Sequence, residues 1–393
     1  MTPERIAELT DVYRRGLLED VVPFWIEHAV DREHGGFTVA LDRDGSVLDT
    51  DKAVWPQCRF TWLLGELYNN VEPRDEWLAL ARHGIDFITK HCFDPADGRM
   101  WFCLTEDGRP IRKRRYAFGE SFACIAYGEY AKAAGSDEAA QKARQVFKNF
   151  TDHYTILGRI PPKFTDTRPT KGLGFPMIAI VTAQELRDSI GLDDADAWID
   201  RCIDEIRRDF VKDDIECVME TVGPDGEIID HFDGRLLNPG HAIEGAWFIM
   251  REGRRRDDAD LIALGVRMLD YMWRRGWDDE FGGLFCCRDV HGRPVQEYWH
   301  DMKFWWPHNE AIIATLLAHA LTGDDVWAGR HAEVHDWTHA HFPDPEYGEW
   351  YGYLHRDGGV SVPLKGNLWK GPFHIPRMQL VCLDILGPRV SNQ

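Results

Sequence analysis

The stretch 304–321, FWWPHNEAIIATLLAHAL, repeats apolar residues at steps of three and four, which predicts a helix with a wide buried face. The same periodicity returns along the chain. It predicts twelve helices, near 4–29, 56–69, 75–91, 116–134, 138–153, 175–191, 194–210, 241–256, 257–275, 305–322, 326–341 and 373–386. The connections alternate in kind. Those after even-numbered helices are short and pair a glycine with an aspartate: Gly135 with Asp137, Gly191 with Asp193, Gly253 with Asp257, Gly323 with Asp324. Glycine can end a helix in the left-handed conformation, and aspartate can cap the next one.

The connections after odd-numbered helices are long and carry a recurring turn. Asp31 opens DREHGGF, Asp94 opens DPADGRMWF, Asp278 opens DDEFGGLF and Asp344 opens DPEYGEWYGYL. From 31 to 94 is 63 residues, from 278 to 344 is 66, and from 94 to 278 is 184, close to three such periods. Six units of this length fill the chain. A second turn follows in five of the six, as LDRDGS, LTEDGR, GPDGEI, DVHGRP and HRDGGV, and predicts small hairpins. In the third and fourth units IPPKFTD (160–166) and DDIECVME (213–220) stand where the turn is expected. The turns read as structural: glycine supplies a positive φ and the aromatic packs on the hairpin.

Long loops on alternate connections all emerge on one face. Twelve antiparallel helices in six units then close into an all-α (α/α)6 barrel, with an open solenoid as the rival arrangement. No low-complexity linker divides the chain, so residues 1–393 are expected to form one domain.

Composition narrows the function. The formal net charge of −20 works against nucleic acid and anionic membranes as partners, and the runs RKRR (112–115) and RRR (254–256) read as solvated charge. No apolar stretch is long enough to span a bilayer, and the charged amphipathic start is unlike a signal peptide. The nine cysteines show no framework spacing and no CxxC, which points to a reducing cytoplasm. Sixteen tryptophans exceed ordinary usage; most belong to packing, and clustered indoles also line sites for rings and sugars.

In such a barrel the even-numbered helices start at the long-loop face, and their first turns converge on one funnel. The polar residues there are Arg59, Tyr116 and Glu120, Arg168 and Lys171, His241 and Glu244, His308 and Glu310, and His374. In RLLNPGHAIEGAWF, Pro239-Gly240 breaks the chain, and His241, Glu244 and Trp247 follow at three-residue steps. WWPHNE contributes Trp306 beside His308 and Glu310. A helix N-terminus favours an anion and lowers the proton affinity of an imidazole. Histidines there, with nearby cations, suit chemistry that moves a proton and creates an oxyanion.

NPGHAIEGAW, WWPHNEA and KGPFHIPR, with VWPQCR earlier in the chain, resemble the corresponding segments of the N-acylglucosamine 2-epimerase (renin-binding protein) family, a wider group that includes cellobiose 2-epimerase and mannose isomerase. The resemblance runs along essentially the whole chain. It implies the (α/α)6 barrel and epimerisation at C2 of an open-chain sugar, N-acetylglucosamine to and from N-acetylmannosamine, through an enediolate. By motif match His241 and His374 exchange the proton on opposite faces, and Glu244 and Glu310 orient them or bind hydroxyls. Arg59 neutralises the oxyanion, and Arg168 and Lys171 bind substrate. His308 assists ring opening, and Tyr116, Glu120, Trp247 and Trp306 complete the sugar-binding set. The expected ligand is a small sugar, with no cofactor and no metal; the family also implies a homodimer. No GxxxxGK[ST] or GxGxxG is present to hold a nucleotide.

Other readings share this architecture. A mannose isomerase would return the proton to C1, and a disaccharide or free mannose and glucose could be the substrate. A glycoside hydrolase would use Glu244 and Glu310 as its carboxylate pair, leaving His241 and His374 idle. A non-catalytic sugar- or protein-binding module would tolerate loss of both histidines. His331, His335, His339 and His341 have metal-compatible spacing, but lie toward a helix C-terminus, where histidine is favourable without a metal.

Overall fold

Prolines and capping side chains at helix starts, and left-handed residues at helix ends, divide the chain into helices close to those the periodicity predicts. The computed structural model describes residues 1–114, 116–156, 158 and 166–387. The helices are α1 (Pro3–Arg15), α2 (Val22–Ala29), α3 (Val54–Asn70), α4 (Asp75–His91), α5 (Phe118–Ala134), α6 (Asp137–Thr155) and α7 (Gly174–Ile190). They continue with α8 (Ala195–Glu205), α9 (Phe232–Arg235), α10 (Pro239–Arg256), α11 (Ala259–Gly276), α12 (Trp305–Thr322), α13 (Asp325–His341) and α14 (His374–Leu386). A π-type turn, Gly16–Val21, joins α1 to α2, so the first predicted helix is continuous but widened; another, Ile206–Phe210, extends α8. The short α9 has no counterpart in the prediction.

Local chemistry explains the boundaries. α10 begins two residues before its predicted start because Pro239 needs no N–H partner there and the Asn238 side chain accepts from the His241 N–H. Gly135, Gly191 and Gly323 end α5, α7 and α12 in the left-handed conformation, as expected. The fourth short connection differs: Gly253 lies inside α10, Asp257 takes the left-handed position (φ 53°), and Asp258 caps α11. Ser136, not Asp137, caps α6, and α8 follows Asp194 without a side-chain cap bond.

Six inner helices, α3, α5, α7, α10, α12 and α14, pack in sequence around the barrel, each backed by an outer partner. α4 lies on α3, α6 on α5, α8 on α7, α11 on α10, α13 on α12, and α1 on α14. The inner helices are buried round most of their circumference. α11 by contrast buries a single stripe of Leu261, Leu264, Met268, Leu269 and Met272. The ring closes, which removes the open solenoid. α1 packs on α14, Phe373 meets Trp62 of α3 with ring centroids 5.3 Å apart, and Arg43 donates to both oxygens of Asp344 at 2.8 and 3.0 Å.

The repeated turn is a real structural unit. In each of the four copies the aspartate N–H bonds a carbonyl five residues on and its carbonyl accepts from the glycine four residues on: Asp31 with Gly36 and Gly35, Asp94 with Arg99 and Gly98, Asp278 with Gly283 and Gly282, Asp344 with Glu349 and Gly348. At Gly36 (φ 69°) a Cβ would also strike the Gln57 amide oxygen that holds Phe37. The aspartate carboxylate accepts from a lysine just ahead of the next inner helix: Lys52 to Asp31 (2.6 Å), Lys113 to Asp94 (2.5 Å), Lys303 to Asp278 (3.0 Å), Lys365 to Asp344 (2.8 Å). Lys171, ahead of α7, instead pairs with Asp209 of the later π-type turn Ile206–Phe210 (2.6 Å), a different lysine–aspartate contact between the third and fourth units. IPPKFT (160–165) falls outside the described residues. Arg356 and Arg43, each from the following hairpin in the ring, grip Asp278 and Asp344 a second time. Burial opposes the charge on Asp278 and Asp344, but these donors hold both carboxyls well below the usual range.

The histidine series of α13 is packing against α1. The Tyr13 hydroxyl lies 2.9 Å from His335 Nδ1 and 3.4 Å from His331 Nε2, and burial pulls the two histidines down to about 2 and about 3.

Two outcomes follow. Asp278→Ala leaves fully buried Lys303 without its carboxylate and should cost about 3–5 kcal/mol in urea unfolding, whereas Arg109→Ala at an exposed pair should stay within about 0.5 kcal/mol. His331 and His335 titrate far below their unfolded value near 6.5, so the unfolded chain takes up protons first. Their contribution is present above pH 6.5 and is lost as pH falls toward 3, at about 1.4 kcal/mol per pH unit per histidine. His331→Gln should flatten the stability slope between pH 6.5 and 5 by about one histidine's share.

Candidate active site

The inner helices enclose a cavity of about 1840 Å³ that is lined from their first turns, at Arg59, His241 and His374, to their last, at Asn70 and Arg254. At the loop end its wall is aromatic: Trp55, Tyr116, Trp299, Trp306 and Trp369.

His241 sits in the first turn of α10. Its Nδ1 lies 3.0 and 3.1 Å from the two oxygens of Glu220, a residue of the loop between α8 and α9. His374 opens α14, and its Nδ1 lies 2.8 Å from Glu310 Oε1 on α12. A carboxylate on Nδ1 fixes each ring's orientation and places the Nδ1 proton between ring and carboxylate, a tautomer in which Nε2 can accept a proton. The Trp306 indole lies beside both rings, at centroid distances of 5.1 Å to His241 and 5.9 Å to His374. Burial, then the charges of Arg377 and Arg59, push His374 well below its ordinary pKa, so it rests as the neutral base.

Arg377, one turn along α14, is the hub. Its Nη2 donates to Glu244 Oε1 at 2.5 Å and to Glu310 Oε1 at 2.6 Å. Glu310 Oε2 accepts from the Trp247 indole at 2.8 Å. Burial works against the Arg377 charge, but the two carboxylates raise its pKa above the ordinary value. Arg59 has the opposite surroundings. Its guanidinium lies over Phe122 at 4.0 Å, Phe373 at 4.5 Å and Trp55 at 5.4 Å. Among the described residues no carboxylate pairs with it, and burial brings its pKa down to about 9. A desolvated cation beside a cavity is suited to an oxyanion that forms there.

Arg59, Tyr116, His241, Glu244, Trp247, Trp306 and His374 line the cavity, with Glu310 directly behind His374. Four expected residues are placed elsewhere. His308 is buried against Trp337 at 4.9 Å, takes the Leu284 N–H on Nε2, donates Nδ1–H to the Phe304 carbonyl, and is held near pKa 3 by burial. It supports the Asp278 turn. Glu120 is buried and accepts the Met100 N–H at 2.9 Å. Lys171 is committed to Asp209, and Arg168 reaches outward to Asp233 at 3.2 Å. Each lies ahead of or inside an inner helix start, but its side chain points into the loop layer.

Sequence reasoning missed Arg377 and Glu220. Arg377 had a signal, since it follows His374 by three residues in the HIPR motif. Glu220 had none, because its partner lies across a loop of irregular chain. Glu244, Glu310 and His374 bring potential metal donors within 4.8 Å of one another. The Arg377 guanidinium already occupies the cation position between the two carboxylates, so the set does not fit a metal without displacing it.

A profile of the family described as N-acylglucosamine 2-epimerase (GlcNAc 2-epimerase) matches residues 35–374. The chain is 36% identical to N-acylglucosamine 2-epimerase of Bos taurus over 390 residues, covering 95% of this chain and 90% of that one. It is 36% identical to the Mus musculus N-acylglucosamine 2-epimerase over 402 residues, covering 98% and 94%. The solved structure of cellobiose 2-epimerase from Bacillus thermoamylovorans shares the fold, with TM-score 0.84, 19% identity and coverage of 96% and 99%.

Glu310→Ala removes a carboxylate from buried Arg377 and the partner of His374. It should destabilise the protein by about 3–5 kcal/mol in urea unfolding, whereas Glu346→Ala, at an exposed rim pair, should change stability by under about 1 kcal/mol.

Proposed function

The chain belongs to the N-acylglucosamine 2-epimerase family, and we propose that it interconverts N-acetylglucosamine and N-acetylmannosamine by proton transfer at C2 between two histidines. One observation carries this reading. His241 and His374 line one cavity, each with a carboxylate on Nδ1, beside a guanidinium that pairs with no carboxylate among the described residues. In the open-chain sugar the C2 proton is acidified by the C1 aldehyde. One imidazole takes that proton through Nε2, and the electrons move onto the C1 oxygen. Arg59 stabilises this C1 enolate oxygen, and the other histidine returns a proton to the opposite face. Trp306, lying beside both rings, supplies a flat apolar surface for the sugar.

The substrate assignment is supported by 36% identity to the Bos taurus N-acylglucosamine 2-epimerase, against 21–25% to cellobiose 2-epimerases. A hydrolase reading is disfavoured because Arg377 donates to both Glu244 and Glu310 and engages the pair that would serve a leaving group. The proposal includes a cytoplasmic location and a homodimer. The nine cysteines are unpaired, as in a reducing compartment, and no helix among the described residues is long and apolar enough to cross a membrane. The dimer rests on family resemblance.

Proton NMR of N-acetylmannosamine with the protein in D2O should show N-acetylglucosamine deuterated at C2. His241→Asn and His374→Asn should each lower epimerisation by roughly 10³-fold or more. One of the two should still exchange the C2 proton of one epimer without forming the other. Unimpaired epimerisation in either variant would end the two-histidine mechanism. Fructose formed from mannose would replace the epimerase reading with an isomerase. Because His374 is held below its ordinary pKa, loss of activity on acidification should set in below pH 6.5 where it reports this residue.

A further inference from the structure

Adjacent cysteines at 286 and 287 begin the loop that runs from Leu284 to α12. Their sulfurs are 3.5 Å apart and each residue is 5% exposed. Their backbone N–H groups hold the returning turn: Cys286 N–H donates to the Met302 carbonyl at 3.1 Å and Cys287 N–H to the His300 carbonyl at 2.9 Å. Trp299 and Met302 of that turn line the cavity. On the other side, Arg288–Asp289 pairs with Leu236–Leu237, and Asn238, the cap of the His241 helix, follows at once. The dithiol therefore stands between the cavity wall and the α10 N-terminus.

We propose that Cys286 and Cys287 form a redox modification site, at which a low-molecular-weight disulfide closes the pair into a vicinal disulfide and thereby slows the sugar site. The activity part rests on the epimerase reading. The step balances. The Cys286 sulfur attacks one sulfur of RSSR, giving a mixed disulfide and one RSH. The Cys287 sulfur then attacks Cys286, its proton leaving with the second RSH. The protein loses two hydrogens and two electrons, and RSSR becomes two RSH. The contact with the Cys286 thiol, and then burial, raise the pKa of the Cys287 thiol, and the 3.5 Å separation leaves Cys287 within reach of a mixed disulfide on Cys286.

Ring closure draws the sulfurs from 3.5 Å to about 2.05 Å. Consecutive Cα atoms lie only about 3.8 Å apart, below the usual disulfide span of about 4.4–6.8 Å. The backbone must twist to accommodate the bond, and its two N–H groups leave Met302 and His300. Such a strained bond is readily reduced, as expected of a regulatory disulfide.

The test treats the whole protein with glutathione disulfide. In the wild type, mass spectrometry should find a loss of two hydrogens in the peptide carrying Cys286 and Cys287. Amide exchange at 286 and 287 should quicken, and kcat/KM on N-acetylmannosamine should fall roughly tenfold, returning with dithiothreitol. The Cys286→Ser/Cys287→Ser double variant should keep its activity through the same treatment. Absence of ring closure, ring closure without a change in exchange and activity, or equal inactivation of the double variant would each overturn the proposal. The mass and exchange readouts need no turnover, so they separate failure of this site from failure of the sugar assignment, which would appear as inactivity of the reduced protein.

Discussion

Four loops on the cavity's open face depend on a lysine that reaches back to the aspartate of a turn. Burying an ammonium is costly unless its protons are used. Lys52 shows how the cost is met: Nζ donates to Asp31, to the Gly35 carbonyl and to the Glu106 carbonyl of the next unit. The clamp sits directly ahead of an inner helix, so it fixes where that helix starts. Ahead of α3, α5, α12 and α14 it ties those inner N-termini to their loops. Site residues projecting from those N-termini can then meet in one cavity.

Within the cavity the same economy is applied to chemistry. Arg377 joins α10, α12 and α14 through Glu244 and Glu310, and Glu310 in turn holds His374 and Trp247. Arg59 is left with aromatic faces instead of carboxylates. Two buried guanidiniums within one barrel thus have opposite surroundings. The first is neutralised by two carboxylates, and the second faces aromatic rings, an environment suited to a nearby negative charge.

The helices were legible because their apolar steps persist over many turns, and Gly135, Gly191 and Gly323 mark ends in ways that depend only on local backbone. The short connection at 253–258 misled because Gly253 is close-packed against Ile262, so the glycine reports packing and not a helix end. Helix starts showed which residues stand near the funnel but not where their side chains point. His308 and Glu120 share that level with Glu310 and His241, and each instead satisfies a backbone N–H of a neighbouring turn. Lys171 looked like a ligand-binding cation, and its ammonium is taken up by Asp209. Glu220 reaches His241 across irregular chain, a relation that no periodicity encodes.

The seam of the ring has a consequence for biosynthesis. Arg43 and Asp344 are 301 residues apart in sequence, and their pairing belongs to the closure of the first unit onto the last. At translation speeds of about 5–20 residues per second, a nascent chain carries an unclosed arc for roughly 15 to 60 s after Arg43 is made. During that interval the inner helices face solvent along surfaces meant for the missing units. Production of this protein in the cell therefore depends on how well that arc is shielded while the ribosome finishes the chain.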